Sequence, residues 1–539
     1  DKANATLGTQ KIEGVVSGKT ITFAYKGLNY ATAYTFTLAA GSVADLTDNA
    51  TDQAIVLNFT TKTKPAVTKA LYDFIVPTDG DFKAALAAAA KRTDTSKRFR
   101  IFIKQGDYKI PADEKSKVTG SDGKSYANPT TYMNTPNVSI IGESMDNTSL
   151  TNTVPNSGQS ANVLEGIGKG DVLCLQKGAT NTYFQDLKMY SSMGDAKGRD
   201  IVLNDQSNKT ICKNVNLWAY QDTYVSNNQN GKFYFEDGIL RGRTDYLCGK
   251  GDVYYNNVEL WICEKGGYLA VPSQPKKYGY IFKDCTIKDA TEAKDLNGNY
   301  TLGRPWGKGT PIALYIDTKM EAIPSAAGWN EMSGGYPKRF AEYNSYTSTG
   351  SIVDLKDRKK VYDAYDSKNG DNYVNRRNET AGDPILTAEE AATYTIETVM
   401  GQDDDWDPTA ATEQASAPTN VKLNGTTLAW DNNDYALLWA VCKNGKVVDF
   451  TITPSYIVDD ASATWSVRAA NEMGGLSEAT VVGQGTGIHN IASATDAAVI
   501  KTTIFAADGT QLSNLQKGIN IIVKTLADGS KKTSKVIVK

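Results

Sequence analysis

Between residues 184 and 285 the chain repeats one short phrase: a large or sulfur-bearing side chain, any residue, then Asn or Asp. The copies are Phe184-Gln185-Asp186, Cys212-Lys213-Asn214, Phe235-Glu236-Asp237, Tyr255-Asn256-Asn257 and Phe282-Lys283-Asp284. The intervals are 28, 23, 20 and 27 residues. A period of that size, with short β-rich stretches and no sustained helical pattern, predicts a parallel β-helix in which each repeat is one coil. Within that frame two aspartates take on meaning. Asp222, in Tyr220-Gln221-Asp222-Thr223, lies eight residues after Asn214, and Asp245, in Thr244-Asp245-Tyr246, lies eight after Asp237. Equal offsets put both carboxylates at one station on neighbouring coils, roughly 4.7 to 4.9 Å apart at the backbone. Carboxyl groups held that close raise each other's proton affinity and titrate as a pair, so one can serve as an acid while the other is a base or nucleophile. The plainer reading is a hydrogen-bonded polar ladder with no chemistry.

The rest of the sequence narrows the choice. At 539 residues the chain is expected to hold about three or four domains. Its net charge of −3, with no long Lys/Arg block, gives no footprint for nucleic acid. No apolar run approaches the roughly 20 residues that span a bilayer, so no transmembrane segment is expected. No leader is visible at Asp1, as expected if one has been removed or if the sequence starts inside a mature chain. The six cysteines, at 174, 212, 248, 263, 285 and 442, contain no CxxC; they read as buried thiols, with one disulfide left open for an exported protein. The one histidine, His489, lies far from the repeats. A Ser-His-Asp triad or a His-based zinc site therefore has almost no material, and carboxylates must do the proton work of any hydrolysis.

Along the chain, residues 1–64 alternate as short strands and read as an Ig-like β-sandwich, short for that fold and expected to lack its first strand, and Lys62 to Pro65 reads as a linker. Residues 68–408 carry the repeats, preceded by an Ala-rich segment, Lys83 to Lys91, suited to capping an open β-helix end. Leu386 to Met400 reads as a helix with a Thr387/Glu390 capping box. Ala, Thr, Ser and Pro near residue 409 mark a second linker. Residues 417–486, with Leu428-Ala429-Trp430 and Trp465-Ser466-Val467, resemble a fibronectin III-like sandwich. Residues 488–539, with turns at Asp508-Gly509 and Asp528-Gly529, resemble the C-terminal sandwich or sorting segments of exported bacterial proteins.

The repeat region resembles the pectin methylesterases over roughly residues 70–408. The pieces that carry the likeness are Gly80-Asp81-Phe82, Lys104-Gln105-Gly106-Asp107-Tyr108, Ile141-Gly142-Glu143-Ser144, Tyr220-Gln221-Asp222-Thr223, Thr244-Asp245-Tyr246-Leu247-Cys248-Gly249, Leu302-Gly303-Arg304-Pro305-Trp306 and Ala341-Glu342-Tyr343, in the family's order. The resemblance implies an all-β chain: a right-handed parallel β-helix flanked by small Ig-like and fibronectin III-like sandwiches. It implies hydrolysis of methyl esters in pectin (methylated homogalacturonan), with Asp245 as nucleophile, Asp222 as general acid/base, Gln221 as an oxyanion donor and Arg304 gripping Asp245 and lowering its pKa. It further implies Trp306 as a sugar-facing aromatic, with Tyr220 and Tyr246 as weaker cleft aromatics; no metal, no cofactor, a monomer, and a bacterial setting that is secreted, periplasmic or at the cell surface.

Two departures stand out. Arg199, in Arg199-Asp200-Ile201-Val202-Leu203, takes the place of a family glutamine that supplies a second oxyanion amide; a guanidinium there can hold the oxyanion or a neighbouring free carboxylate of the polymer. Cys248 replaces a family phenylalanine. Two other readings compete: a Ca²⁺-dependent lyase, for which the Asp403-Asp404-Asp405 run is the nearest acidic cluster, and a carbohydrate-binding protein without catalysis.

Overall fold

The computed structural model describes residues 2–538 apart from 18–19, 24, 26–27, 45–48, 66–70, 158, 160, 291–294, 433–435, 484–498, 507–510, 513–517 and 527–530. The chain divides into two compact units, residues 1–483 and 484–539. In the second, strands Val499–Ala506, Gln511–Leu512, Gly518–Leu526 and Lys531–Val538 form one antiparallel sheet. His489 and the turns at Asp508-Gly509 and Asp528-Gly529 lie outside the described residues.

The repeats build a three-faced parallel β-helix. The first face is a sheet of seven short strands, among them Leu203–Asp205, Tyr224–Ser226, Leu247–Gly249 and Thr301–Gly303. The second and third faces join into a 17-stranded sheet because the chain bends between them without a break, as within Tyr183–Tyr190 and Thr210–Trp218. The bend explains the repeated phrase. Asp186, Asn214, Asp237, Asn257 and Asp284 all have φ between 48° and 59°, a left-handed conformation that Asn and Asp tolerate better than other side-chain-bearing residues. Their side chains then bond along the corner: the Asn214 amide donates to Asp186 (2.6 Å) and that of Asn257 to Asp237 (2.7 Å). Asp317 and Asn344 continue the corner on two more coils, with the Asn344 amide donating to Asp317 (2.6 Å).

The first residue of each phrase points inward. Phe235, Tyr255, Phe282 and Tyr315 are fully buried and stack in sequence, with ring centroids 5.2, 4.6 and 4.2 Å apart. Each ring fills the layer that its neighbours leave, so removing one opens a cavity that a coil locked into a sheet cannot collapse around. Phe282→Ala is therefore expected to destabilise the β-helix by about 3 to 5 kcal/mol, read from its urea transition. A loss below about 1 kcal/mol would mean that the stack does not hold the coils.

Helix Phe82–Lys91 seals one end: Asp81 caps it by accepting the Ala84 N–H (2.8 Å), and Phe82, Ala85, Leu86 and Ala89 enter the core. Leu386 to Met400, expected as one helix, is two, Ala388–Ala391 and Ile396–Met400, because the Thr395 hydroxyl caps a second start. The Thr387/Glu390 capping box is formed. Residues around 409 are no free linker: Thr409–Thr412 is a short helix, and the Thr412 hydroxyl donates to Glu236 (2.7 Å). Residues 421–482 form two facing sheets around Leu428, Trp430, Trp439, Trp465 and Val467. Their other side, with Leu437, Leu438 and Phe450, packs with Met400 on the outer side of the second face over Tyr254, Ile281 and Leu314. The N-terminal strands from Lys2–Leu7 to Ile55–Thr60 pair as one antiparallel sheet that packs Ala5, Phe23, Phe36 and Leu38. All six cysteines are buried free thiols, and among the described residues no helix is long and apolar enough to cross a membrane.

Candidate active site

The corner where the third face turns into the first holds the two aspartates. Register pairs Asn216 with Ile239 before this corner and Tyr224 with Leu247 after it, so Asp222 and Asp245 occupy one station on successive coils. The Asp222 N–H donates to the Asp245 carbonyl (3.3 Å), and the Asp245 N–H donates to the Tyr268 carbonyl of the next coil (2.6 Å). Both residues have positive φ, 59° and 47°. Arg199 bridges to Gln221, and Gln221 to Thr244, so the same station runs one coil further. A cleft of about 260 Å³ opens over it, lined by Ile167, Arg199, Gln221, Asp222, Asp245, Cys248, Val271, Arg304, Trp306 and Met332.

Arg304 follows strand Thr301–Gly303 and reaches back to Asp245 with both arms of its fork: Nε donates to Oδ1 (3.0 Å) and Nη2 to Oδ2. Its guanidinium lies 4.0 Å from the Tyr268 ring centre, which fixes its plane. The expected net lowering of the Asp245 pKa is not found. Burial, with only 4% of the side chain exposed, pushes the carboxyl up, and the Arg304 bonds and charge oppose that push without cancelling it. Asp222 goes further: burial first, then the charge on Asp245, raise it to about 7, against smaller downward pulls from the Cys248 thiol, Arg199 and Arg304. The two environments therefore differ in kind. Asp245 has a fork of charged donors to hold it as a carboxylate, and Asp222 has only a thiol, the Cys248 Sγ–H donating to its Oδ1 at 3.5 Å.

Six of the eight expected site residues meet here. Gln221 lines the cleft beside Asp222, Trp306 stands at its mouth with 39% of its surface exposed, and the Arg199 side chain is 47% exposed with one loose partner, Glu165, at 4.0 Å. The two tyrosines do not. Tyr246 is wholly buried in the coil interior, because the chain after the bend at Asp245 turns that side chain inward. Tyr220 is 8% exposed, and its hydroxyl donates to Glu264 (2.9 Å) away from the cleft lining. Asp200 was not singled out by the sequence. Fully buried, it accepts the N–H groups of Tyr220 (3.0 Å) and Gln221 (3.2 Å) and so clamps the turn that presents Gln221 and Asp222; burial raises its carboxyl well above the usual range. The acidic run is spent on lysines: Asp404 pairs with Lys209 (2.8 Å) and Lys232, and Asp403 with Lys276. Among the described residues no group of three or more His, Cys, Asp or Glu is placed to hold a metal ion.

A family model described as Pectinesterase matches residues 73–378, and one described as Bacterial Ig-like domain matches residues 3–61. Curated relatives include pectinesterase 1 of Solanum lycopersicum, 23% identical over 50% of this chain and 46% of that protein. Another is probable pectinesterase A of Aspergillus flavus, 29% identical over 29% of this chain and 48% of that protein. The chain spans about half the length of the curated relatives it matches. Among solved structures, pectin methylesterase PemA from Erwinia chrysanthemi is similar at 20% identity and a TM-score of 0.44, covering 64% of this chain and 99% of that one. A carrot pectin methylesterase is similar at 18% identity and a TM-score of 0.41, covering 55% and 87%. With the family model spanning more than half of its residues, the chain belongs to the pectinesterase family.

Proposed function

We propose that this cleft hydrolyses the methyl esters of pectin, releasing methanol and leaving a free galacturonate carboxylate. The observation that carries the reading is the asymmetric pair: Asp245 in the fork of Arg304 beside an Asp222 whose carboxyl is raised to about 7. An Asp245 oxygen attacks the ester carbonyl carbon, and the negative charge moves onto the carbonyl oxygen, where the amide of Gln221 and the guanidinium of Arg199 are the donors at hand. Collapse of this tetrahedral species breaks the bond to methoxy oxygen, which leaves as methanol with the Asp222 proton. The resulting acyl–Asp245 anhydride is opened by water: Asp222, now a carboxylate, takes one water proton, and the hydroxide adds to the galacturonyl carbon and expels Asp245. Trp306 offers an exposed ring at the cleft mouth for a sugar face. A polymeric substrate of this kind supports a setting outside the cell that makes the chain.

The test is product identity. The chain is expected to release methanol from methylated polygalacturonate with matching acid production; chain breaks with unsaturated ends would instead mark a lyase, and bound polymer with no product would mark a pure binder.

The same asymmetry sets the pH dependence. The first step needs Asp222 protonated, so kcat is expected to fall as pH rises through about 7, and it falls again in acid once Asp245 takes a proton. Methanol release followed from pH 4 to 9 at fixed salt checks this; a rate still climbing at pH 9 would contradict the role given to Asp222.

A further inference from the structure

Cys248 stands where the family resemblance leads one to expect phenylalanine, and the exchange puts a hydrogen-bond donor where a hydrocarbon ring would offer none. It is the middle residue of strand Leu247–Gly249, and register sets it between Val225 and Val271 on the coils before and after. Leu247 enters the coil interior, whereas Cys248 joins Ile201, Val225 and Val271 in a small apolar cluster against which Ile167 and Met332, both lining the cleft, also pack. A row of methyl-bearing side chains is thus interrupted once, by a sulfur.

The interruption falls beside Asp222. The Cys248 Sγ–H donates to Asp222 Oδ1 at 3.5 Å, and among the described residues it gives the only hydrogen bond to that carboxyl group. Burial first, then the charge of Asp222 and the bond to it, push the thiol well above its ordinary range. It therefore stays protonated where Asp222 titrates and acts as a fixed donor, not as a nucleophile. The other charged or titratable groups facing Asp222 are Asp245, Asp200, Arg199, Arg304 and Tyr280; Arg304 is engaged with Asp245, and the hydroxyl of Tyr280 with that of Ser226 (2.7 Å). Besides Asp222, the thiol is faced by Asp245, Arg199, Tyr255 and Tyr280.

An unionised carboxyl group has one proton for two oxygens. Sulfur is a poor acceptor, so a proton on Oδ1 would replace the S–H···O bond by a weaker O–H···S contact, whereas a proton on Oδ2 leaves Oδ1 free to accept. Once that proton has gone, the same S–H stabilises the carboxylate left behind. We propose that Cys248 is a positioning residue of the acid–base step: by occupying Oδ1 of Asp222 it assigns the transferable proton to Oδ2, and it steadies the carboxylate that then takes a proton from water. The S–H proton itself is never transferred. The inference rests on the reading of the cleft as an esterase.

Cys248→Val continues the valine row and removes the donor while keeping an apolar side chain of similar size. A packing role predicts an unchanged pH profile for this variant. Loss of a donor to the carboxylate instead raises the pKa of Asp222, so the alkaline limb of kcat for methanol release is expected to move up by about half a pH unit or more, with KM within about twofold; Cys248→Ser, which keeps a donor, stays nearer the parent. A second readout needs no turnover. The S–H stretching band of Cys248, isolated as the infrared difference between the parent and Cys248→Val, is expected to shift to lower frequency as pH rises through about 7, and to stay fixed when the same difference is taken in an Asp222→Asn background. Circular dichroism establishes that each variant is folded; were Cys248→Val to unfold, Cys248→Ala takes its place. Superposed alkaline limbs, or a band indifferent to pH, overturn the proposal. Methanol release with superposed limbs sinks the role of Cys248 alone, whereas the band shift in a parent that releases none keeps the hold of the thiol on Asp222 and sinks the esterase reading.

Discussion

Asp245→Asn is expected to lower kcat for methanol release by about 10⁴-fold or more while the protein stays folded. Asparagine keeps the size of the side chain and tolerates the left-handed backbone at this bend, φ 47°, so the change removes the proposed nucleophile and little else. An amide oxygen carries no charge to drive the attack. Arg304 loses its anionic partner, but its side chain is 23% exposed and can be solvated from the cleft. The oxyanion donors stay in place, so a small residual rate over water is expected. The measurement is the initial rate of methanol release on saturating methylated polygalacturonate, with near-ultraviolet circular dichroism as the control for packing. A variant within tenfold of the parent would assign the attack to another group.

Arg304→Met is expected to act on both rate and stability. Removing the guanidinium leaves Asp245, 4% exposed, without its charged partner, and breaking a buried pair from one side costs about 3 to 5 kcal/mol. The protein escapes part of that cost by protonating Asp245, whose pKa is already raised by burial and is then opposed by nothing nearby. A protonated Asp245 cannot attack, so the rate at pH 6 is expected to drop by about 10³-fold or more, with partial recovery as pH rises until the limb of Asp222 near 7 is reached. Arg304→Lys restores a charge but not the two-armed grip and is expected to fall between. The pH–rate profile and the urea midpoint of the three proteins measure this; an acid limb that does not move in Arg304→Met would mean that Arg304 does not govern the ionisation of Asp245.

What the sequence revealed here was whatever the coil period controls. The bends need a left-handed residue once per turn, so Asn and Asp recur at them, and any two residues at equal offsets from successive bends must meet; that spacing alone puts Asp222 beside Asp245. The same arithmetic reaches a half-buried row on the third face. Tyr190, Trp218, Arg241, Trp261 and Lys288 stand in register and each lie four residues after a bend, so the signal was present but hidden by the change of residue type from coil to coil. Other features were not legible. Tyr246 adjoins Asp245 in sequence yet points into the core, because the bend at Asp245 shifts which side chains face inward. The Asp200 clamp depends on backbone N–H groups of the next coil, which sequence spacing does not specify. The net direction of the Asp245 pKa turned on a contest between burial and a salt bridge, which only the depth of the site decides.

The most direct test of the central claim is methanol release from methylated polygalacturonate in water enriched in ¹⁸O. Attack at the ester carbonyl, followed by hydrolysis of the anhydride at the galacturonyl carbon, predicts that methanol keeps its ordinary oxygen and that each new galacturonate carboxylate carries one ¹⁸O. Label in the methanol would place the break on the methyl side and contradict the two-aspartate mechanism; a folded chain that releases no methanol would contradict the esterase itself.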